Sequence, residues 1–196
     1  LDIARIESGR QSLTLESANP LQLLNSVTRV FDGLAREKAI VLKLEVDPAL
    51  DRNVLIDAMR FKQIIANLLS NAIKFTAVGE VRISAHAQSA DATQPMQLSV
   101  HIVDTGVGIG EADQQQLFVP FSQAGNQQQG SGLGLVISRS LIEMMGGSLT
   151  LTSALGEGTQ ATVKLLLPAA NLPATQAGAP LGSLPGLPLS VLIVDD

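Results

Sequence analysis

The chain has 196 residues, of which 45% are hydrophobic and 16% charged, and its net charge of -5 fits one well-filled globular domain with extensions. A negative chain that has no long basic patch and only 5 phenylalanines as aromatic residues lacks the usual means of binding nucleic acid, so we exclude that class. The absence of cysteine excludes disulfides and cysteine-ligated metals, and no run approaches the roughly 20 apolar residues that span a bilayer.

Two helical patterns open the chain. Residues 1–8 follow a helical period without an N-cap and stop at Gly9, as if the chain began inside a longer helix. Asn19 and Pro20 then begin a helix predicted to run to residue 39, with an apolar inner face.

Short strands and turns follow, interrupted by one further long helix at residues 58–76. The predicted strands cover residues 40–46, 52–56, 80–88, 97–104, 147–153 and 159–167. Because helices and short antiparallel strands alternate without a regular βαβ repeat, we expect an α+β fold, a two-layer α/β sandwich. Its mixed, mostly antiparallel sheet would be covered by helices on one face.

The helix at residues 58–76 carries the most informative pattern, because polar residues interrupt an apolar run. At about 100° per residue, Asn67, Asn71 and Lys74 share one narrow stripe opposite the apolar face. An amide oxygen can ligate a hard cation, and a lysine one turn on can meet phosphate. The alternative interpretation is an ordinary solvated stripe on a surface helix.

A second pattern delivers a carboxylate to the end of a strand. The alternating residues 97–104 end at Asp104, and a turn with Gly106 and Gly108 follows. A carboxylate at such an edge can accept a hydrogen bond from an exocyclic amine such as that of adenine. The alternative is a simple Asp-Gly loop signal.

A third pattern is a glycine-rich entry into a helix. Gly130, Gly132 and Gly134 precede an apolar helical run, so the backbone amides at the helix start form a potential anion site. The alternative is a flexible loop before a core helix. Residues 125–131 have the glycine spacing of a phosphate loop but lack its lysine and a preceding apolar strand, and the dinucleotide fingerprint is absent, so neither fold is predicted.

Taken in order, these motifs resemble the conserved boxes of the sensor histidine kinase ATP-binding domain. Residues 63–76 resemble its N box, 104–109 its G1 box, 117–121 its F box and 130–135 its G2 box. The resemblance covers residues 20–168 and implies the Bergerat-type fold shared by gyrases, chaperones, histidine kinases and mismatch-repair ATPases. It also implies ATP and Mg²⁺ as cofactors.

The resemblance implies roles for individual residues. It makes Asn71 the magnesium ligand, with Asn67 one turn earlier lining the same metal site. The implied nucleotide site consists of Asn67, Asn71, Lys74, Phe75, Asp104, Gly106, Gly108, Gly130, Gly132, Leu133, Gly134 and Thr159. Phe118 and Phe121 resemble anchors of the lid over the nucleotide, although they equally fit plain core positions.

The ends of the chain agree with a hybrid kinase. Residues 1–19 resemble the end of a dimerisation helix and a connector, 169–190 read as a linker rich in alanine, proline, glycine and leucine, and 191–196 resemble the first strand of a receiver. Asp195 and Asp196 would then help to bind the receiver's magnesium. The implied partners are ATP, the chain's own dimerisation and receiver domains, and a response regulator or phosphotransfer protein.

The phosphoacceptor is expected outside this chain. His86 and His101 lie in strand patterns and are predicted to be structural, so the reacting histidine should lie upstream of Leu1 and the receiver aspartate downstream of Asp196. We therefore expect no catalytic residue here. The whole protein is expected to be a homodimer anchored in the bacterial inner membrane, with this part in the cytoplasm.

One departure from the family concerns the lid. Residues 125–129 are glycine, asparagine and three glutamines, where relatives have a longer lid with arginine or lysine that offsets phosphate charge. We therefore expect ATP binding with weak or regulated autophosphorylation. Rapid uptake of labelled phosphate from ATP by a chain extended through the upstream helix would refute this.

Two other classes of function stay open from the sequence. A hydrolytic ATPase of the same superfamily would carry a glutamate at the position of Asn67, and an amide cannot take that proton. A non-enzymatic scaffold that modulates another kinase would keep the fold and bind nucleotide weakly or not at all.

Overall fold

The structure, a computed structural model, describes residues 12–89, 91, 93–114, 116–119 and 132–170. It contains seven described strands, namely β1 (Glu16–Ala18), β2 (Ile40–Val46), β3 (Val54–Ile56), β4 (Gly79–Gln88), β5 (Met96–Asp104), β6 (Ser148–Ala154) and β7 (Gly158–Leu167). Five of them form one sheet in the order β2-β4-β5-β7-β6, in which only β2 and β4 run parallel. The predicted mixed, mostly antiparallel sheet is confirmed.

The described helices are α1 (Pro20–Glu37), α2 (Ala58–Phe75), the short α3 (Glu111–Gln114) and α4 (Gly134–Met144), with a 3-10 turn at Pro48–Leu50. Side-chain caps explain where the two long helices begin. Asn19 accepts a hydrogen bond from the backbone N–H of Gln22 at 3.2 Å, and Asp57 accepts one from that of Arg60 at 2.9 Å. Within the described ranges, no helix is long and apolar enough to cross a membrane.

One face of the five-stranded sheet is covered by helices. Alternate residues of the central strands point to that face and are buried, for example Ile83 on β4 and Val100 on β5. Helix α1 packs on α2 and β2, α2 packs on β5, and α4 packs on α2 and β6. The predicted two-layer α/β sandwich is thereby confirmed.

The opposite face of the sheet is polar. His86 and His101 lie there on β4 and β5, with ring centroids 6.0 Å apart, and Nδ1 of His101 lies 3.1 Å from Oγ1 of Thr162. Burial lowers the pKa of His101, and the nearby His86 and Lys164 lower it further. Both histidines therefore belong to strands, as the sequence predicts, and lie on the face away from the helices.

The strand register brings three strand ends to one edge of the sheet. Asp104, the last residue of β5, pairs with Val81 near the start of β4 and with Thr159 at the start of β7. The carboxyl end of β5 therefore faces the β6–β7 turn, and this edge carries the candidate site.

The folded block extends slightly beyond residues 20–168. Strand β1, too short to show a period, pairs with β3, and the other edge of β3 contacts the residues that follow β7. There the backbone N–H of Leu55 donates to the carbonyl of Pro168 at 2.8 Å, and Ala169 forms a bridge to Val54. Residues 1–11 of the predicted helix end and connector, residues 171–190 of the predicted linker, and the predicted receiver strand at 191–196 lie outside the described residues.

Candidate functional site

The polar stripe of α2 lies at the boundary between core and surface. Asn67, Asn71 and Lys74 are all half-buried, while the apolar residues of the same helix, such as Ile64 and Leu68, are buried in the core. The predicted division of this helix into an apolar and a polar face is confirmed.

Asn67 joins α2 to the start of α4. Its Nδ2 donates a hydrogen bond to Oγ of Ser138 at 2.9 Å. Its Oδ1 occupies the space beside Gly134, where a Cβ would overlap it. The N-box helix and the end of the predicted G2 segment are therefore in direct contact.

The carboxyl end of α2 joins the loop after β5. The carbonyl oxygen of Phe75 accepts the N–H of Val107 at 3.3 Å, and a Cβ at Gly106 would overlap that same carbonyl. Lys38 follows the last residue of α1, and its Nζ donates to the carbonyls of Ile73 and Lys74 at 2.9 and 3.1 Å. These two carbonyls of the last turn of α2 therefore have a hydrogen-bond donor.

Two side chains at this end of α2 are accessible. Nζ of Lys74 lies 4.7 Å from the ring centroid of Phe75, a cation–π distance. Because the Phe75 side chain is 38% exposed, an apolar ring and a cation stand next to each other at the surface of the site.

Asp104 provides a buried carboxylate at the centre of this edge. It is only 7% exposed, and its Oδ1 accepts the backbone N–H of Gly106 at 2.8 Å. Burial raises the pKa of Asp104, while the backbone N–H groups of Gly106 and Thr159 act in the opposite direction. A partly desolvated acceptor of this kind favours a ligand that brings its own donor.

The loop that follows Asp104 is fixed against the β6–β7 hairpin. Gly108 has a φ of 67°, and a Cβ there would overlap the backbone carbonyl of Ala154. The N–H of Gly156 donates to the carbonyl of Val107 at 2.8 Å. Close backbone approach therefore explains why a glycine stands at position 108.

A small hydroxyl network completes this contact. Oγ of Ser153 accepts the N–H of Ile109 at 2.8 Å, donates to the carbonyl of Gly158 at 2.7 Å and lies 2.9 Å from Oγ1 of Thr159. Nε2 of Gln114 ties the same region together by donating to the carbonyls of Ile109 and Ser153, each at 2.8 Å. Thr159 is thus held beside Asp104 through its strand pairing and its hydroxyl contact.

The predicted glycine-rich segment is described from residue 132 onward. Gly132 has a φ of 66°, Leu133 is the N-cap of α4, and Gly134 begins the helix. Gly130 and the lid at residues 125–129 lie outside the described residues, and so does Phe121. The weak-autophosphorylation expectation therefore stays a prediction.

Phe118 lies against the core and against α4. Its ring is 4.8 Å from Cζ of Arg139, which also forms an ion pair with Glu143 at 2.9 Å. The side chain is half-buried and packs on the hydrophobic core, so in this structure it joins the lid-side segment to α4.

Three polar residues that build this site lie outside the predicted motifs. Ser138 cross-links α4 to α2, whereas Ser153 and Gln114 cross-link the loop after β5 and the β6–β7 hairpin. Only Ser138 left a signal, since a serine lies on the inner face of α4 beside the buried Leu141 and Ile142.

Comparison with known proteins agrees with this geometry. Residues 56–169 match the family model of the histidine kinase-, DNA gyrase B-, and HSP90-like ATPases. The virulence sensor protein BvgS of Bordetella bronchiseptica is 45% identical over the whole of this chain and 16% of its own length. The sensor histidine kinase GacS of Pseudomonas protegens is 38% identical over 96% of this chain and 20% of its own length.

A solved structure shares the fold. Full-length ShkA in complex with AMPPNP superposes with a TM-score of 0.73 at 29% identity, covering 86% of this chain and 34% of that protein. The chain spans about a sixth of the length of BvgS, so it corresponds to one part of a larger relative. Its fold, its motifs and these matches show that the chain belongs to the histidine kinase-, DNA gyrase B-, and HSP90-like ATPase family, as an ATP-binding domain of the sensor histidine kinase type.

Proposed function

We propose that this chain holds ATP with Mg²⁺ and presents the terminal phosphate to a histidine of its own larger protein in two-component signalling. The observation that carries the proposal is the convergence of three elements on one edge of the fold. Helix α2 contacts Gly134 through Asn67 and Gly106 through Phe75, and Asp104 lies at the same edge of the sheet.

The adenine would bind at Asp104. The buried carboxylate would accept a hydrogen bond from the exocyclic amine, with Thr159 beside it and the loop of Gly106 and Gly108 close to the base. Phe75 would cover part of the base with its exposed ring. Since Asp104 has no ion-pair partner within the part of the chain that the structure describes, its buried acceptor would favour an amino-substituted ring.

The phosphates would bind between the second half of α2 and the start of α4. Lys74 would supply a cation, and Gly132, Leu133 and Gly134 bring backbone N–H groups to the positive end of α4, where the sequence also predicts Gly130. Phosphoryl transfer requires mainly positioning and charge neutralisation, which these groups supply.

The residues present fit a magnesium ion that is shared with the phosphates. Magnesium keeps several waters and takes few protein ligands, so one amide oxygen suffices. Asn71 lies one turn beyond Asn67 on the same stripe and is half-buried, which makes it the better candidate ligand. Asn67 was predicted to line the same metal site, but its amide already contacts Ser138 and Gly134.

The rest of the proposal concerns the larger protein. We propose a kinase in which the phosphoacceptor histidine precedes this domain, a linker follows it at residues 169–190, and a receiver begins at residues 191–196. Phosphate would pass to that receiver and then to a phosphotransfer protein or response regulator. The domain would lie in the cytoplasm of a homodimer anchored in the bacterial inner membrane.

Neither alternative function is favoured. A hydrolytic ATPase needs a base where Asn67 stands, and this amide donates its N–H to Ser138 instead. The relatives are named as sensor proteins and a sensor histidine kinase, and Asp104 supplies the buried acceptor that a nucleotide site needs.

Calorimetric titration with a non-hydrolysable ATP analogue, with and without Mg²⁺, tests the function. We expect wild-type protein to bind more tightly with Mg²⁺, and we expect Asn71→Ala to remove most of that gain while changing the metal-free affinity by less than about twofold. The loss of one metal ligand should weaken the magnesium-dependent affinity by about tenfold or more.

Asn25→Ala is the matched control, because Asn25 is a half-buried helical asparagine on α1 whose Nδ2 donates to the carbonyl of Leu21 at 2.9 Å. It should bind the analogue like wild type in both conditions. The proposal is wrong if the folded wild-type domain shows no saturable binding of the analogue.

A further inference from the structure

A buried hydroxyl joins the two helices that flank the proposed phosphate site. Ser138 of α4 is only 2% exposed, and its Oγ accepts Nδ2 of Asn67 at 2.9 Å, although the two residues are 71 positions apart. A buried side-chain hydrogen bond between distant elements fixes their relative position, because breaking it leaves a polar group without a partner.

The other end of the same carboxamide also lies against α4. Oδ1 of Asn67 fills the space beside Gly134, the first residue of that helix, where any side chain would collide with it. Gly134 and Ser138 are four residues apart and therefore lie on one face of α4. Asn67 thus contacts α4 at its first residue and again one turn later.

We infer that Ser138 is a positioning residue that acts through Asn67 to hold the first turn of α4 at the distance from α2 that nucleotide phosphates require. We call Asn67, Gly134 and Ser138 the α2–α4 clasp. The inference rests on the proposed function, and it assigns Asn67 to the protein framework, which leaves Asn71 as the candidate ligand of the metal.

The clasp is placed where small displacements matter. The glycines at 132 and 134 carry the chain into α4, and Gly132 has a φ of 66°, so this segment has few side chains that could hold it in place. Backbone N–H groups bind phosphate only within hydrogen-bond distance, and an error of about 1 Å loses much of that interaction.

The clasp makes a prediction that a metal-ligand role for Asn67 does not make. If Asn67 only positions α4, then Ser138→Ala should weaken the binding of the ATP analogue by a similar factor, about fivefold to tenfold, with and without Mg²⁺. If Asn67 is a metal ligand, the weakening should appear only when Mg²⁺ is present. Asn71→Ala provides the reference for a purely magnesium-dependent loss.

Ser140→Ala is the matched control, since Ser140 is a half-buried serine of the same helix that lies outside the clasp. It should bind like wild type. The affinity of the double variant Asn67→Ala with Ser138→Ala for the analogue should equal that of whichever single variant binds it less tightly. Both changes remove the same contact, so their effects should not add.

The side-chain amide of Asn67 supplies a second measurement that does not depend on nucleotide. In a ¹⁵N spectrum of the wild-type domain without ligand, its two N–H signals should exchange slowly with solvent, and Ser138→Ala should speed that exchange. If Ser138→Ala does not fold, Ser138→Cys keeps the side-chain shape with a much weaker acceptor and replaces it in each measurement.

Two outcomes overturn the inference. Either a folded Ser138→Ala protein binds the analogue like wild type in both conditions, or it loses affinity only in the presence of Mg²⁺. Both results leave the proposed function standing, because wild-type protein still binds the analogue. Failure of the wild type to bind would refute the proposed function, whereas slow exchange at Asn67 would still report the clasp itself.

Discussion

Replacing Asp104 with asparagine is expected to weaken the binding of ATP analogues by about 30-fold or more, which corresponds to about 2 kcal/mol. Asparagine keeps an oxygen that can accept the N–H of Gly106 at its 2.8 Å contact, but it loses the negative charge and presents an N–H₂ group. Opposite the exocyclic amine of adenine, that group would set donor against donor. Calorimetric titration of both proteins measures the difference.

The same substitution should leave the fold intact. Burial raises the pKa of Asp104, so the unfolded chain releases this proton more readily than the folded one. The stabilising contribution of this group is therefore present below its usual pKa and is lost as the pH rises through the raised folded-state value. At neutral pH the buried, charged carboxylate therefore does not stabilise the folded state. We expect the melting temperature of Asp104→Asn to stay within about 4 °C of wild type.

The nucleotide affinity should also depend on pH through Asp104. Because its pKa is raised, the carboxylate is protonated at a higher pH than an ordinary aspartate, and affinity should begin to fall correspondingly earlier as the pH decreases. Asp91→Asn is the control, since Asp91 lies in the turn at the opposite end of β4 and β5. Equal affinity of wild type and Asp104→Asn for the analogue would contradict the assigned role.

The second large effect is expected from Gly108→Ala, which should lower both stability and nucleotide affinity. A left-handed φ of 67° costs an alanine about 1–2 kcal/mol, and its Cβ would overlap the backbone carbonyl of Ala154. Because that carbonyl belongs to the backbone of a paired strand, the loop after β5 has to move instead.

We expect the melting temperature of Gly108→Ala to fall by about 5–10 °C. The affinity for the analogue should fall by about tenfold or more, because the loop after β5 moves away from Asp104 and Phe75. Gly110→Ala is the matched control, since it lies two residues later, has no positive φ and has open space around its Cβ position. It should change stability by less than about 1 kcal/mol. Similar melting temperatures for the two variants would refute this reading of the loop.

Much of the fold could be predicted because local signals agreed with tertiary packing. The asparagine helix was predicted at residues 58–76 and is observed at Ala58–Phe75, since Asp57 caps it and its apolar period is long. The strand at residues 40–46 has the predicted bounds because its alternation matches one buried face of the sheet. Strand β1 was missed because three residues are too few to show a period.

The site could be predicted in part, for a different reason. Asp104 and the glycines stand at element ends, where the sequence pattern changes and the residue type is informative. The roles of Ser138 and Ser153 depend on which elements pack together, and their contacts join residues 71 and 44 positions apart. A local sequence pattern does not indicate a contact between residues so far apart in the chain. The hydrogen bonds of Ser138 and Ser153 could therefore be identified only from the structure.

The most direct test is a titration of the ¹⁵N-labelled domain with AMPPNP and Mg²⁺, followed by amide chemical shifts. We predict that the largest changes fall on three segments of the described chain: Gly106 to Gly108, Gly132 to Gly134, and the polar stripe of α2 near Asn71. Amides of β1 and β3, at the far end, should change little. Saturable binding with its largest changes at β1 and β3, or on the outer sheet face around His101, would contradict the proposed site.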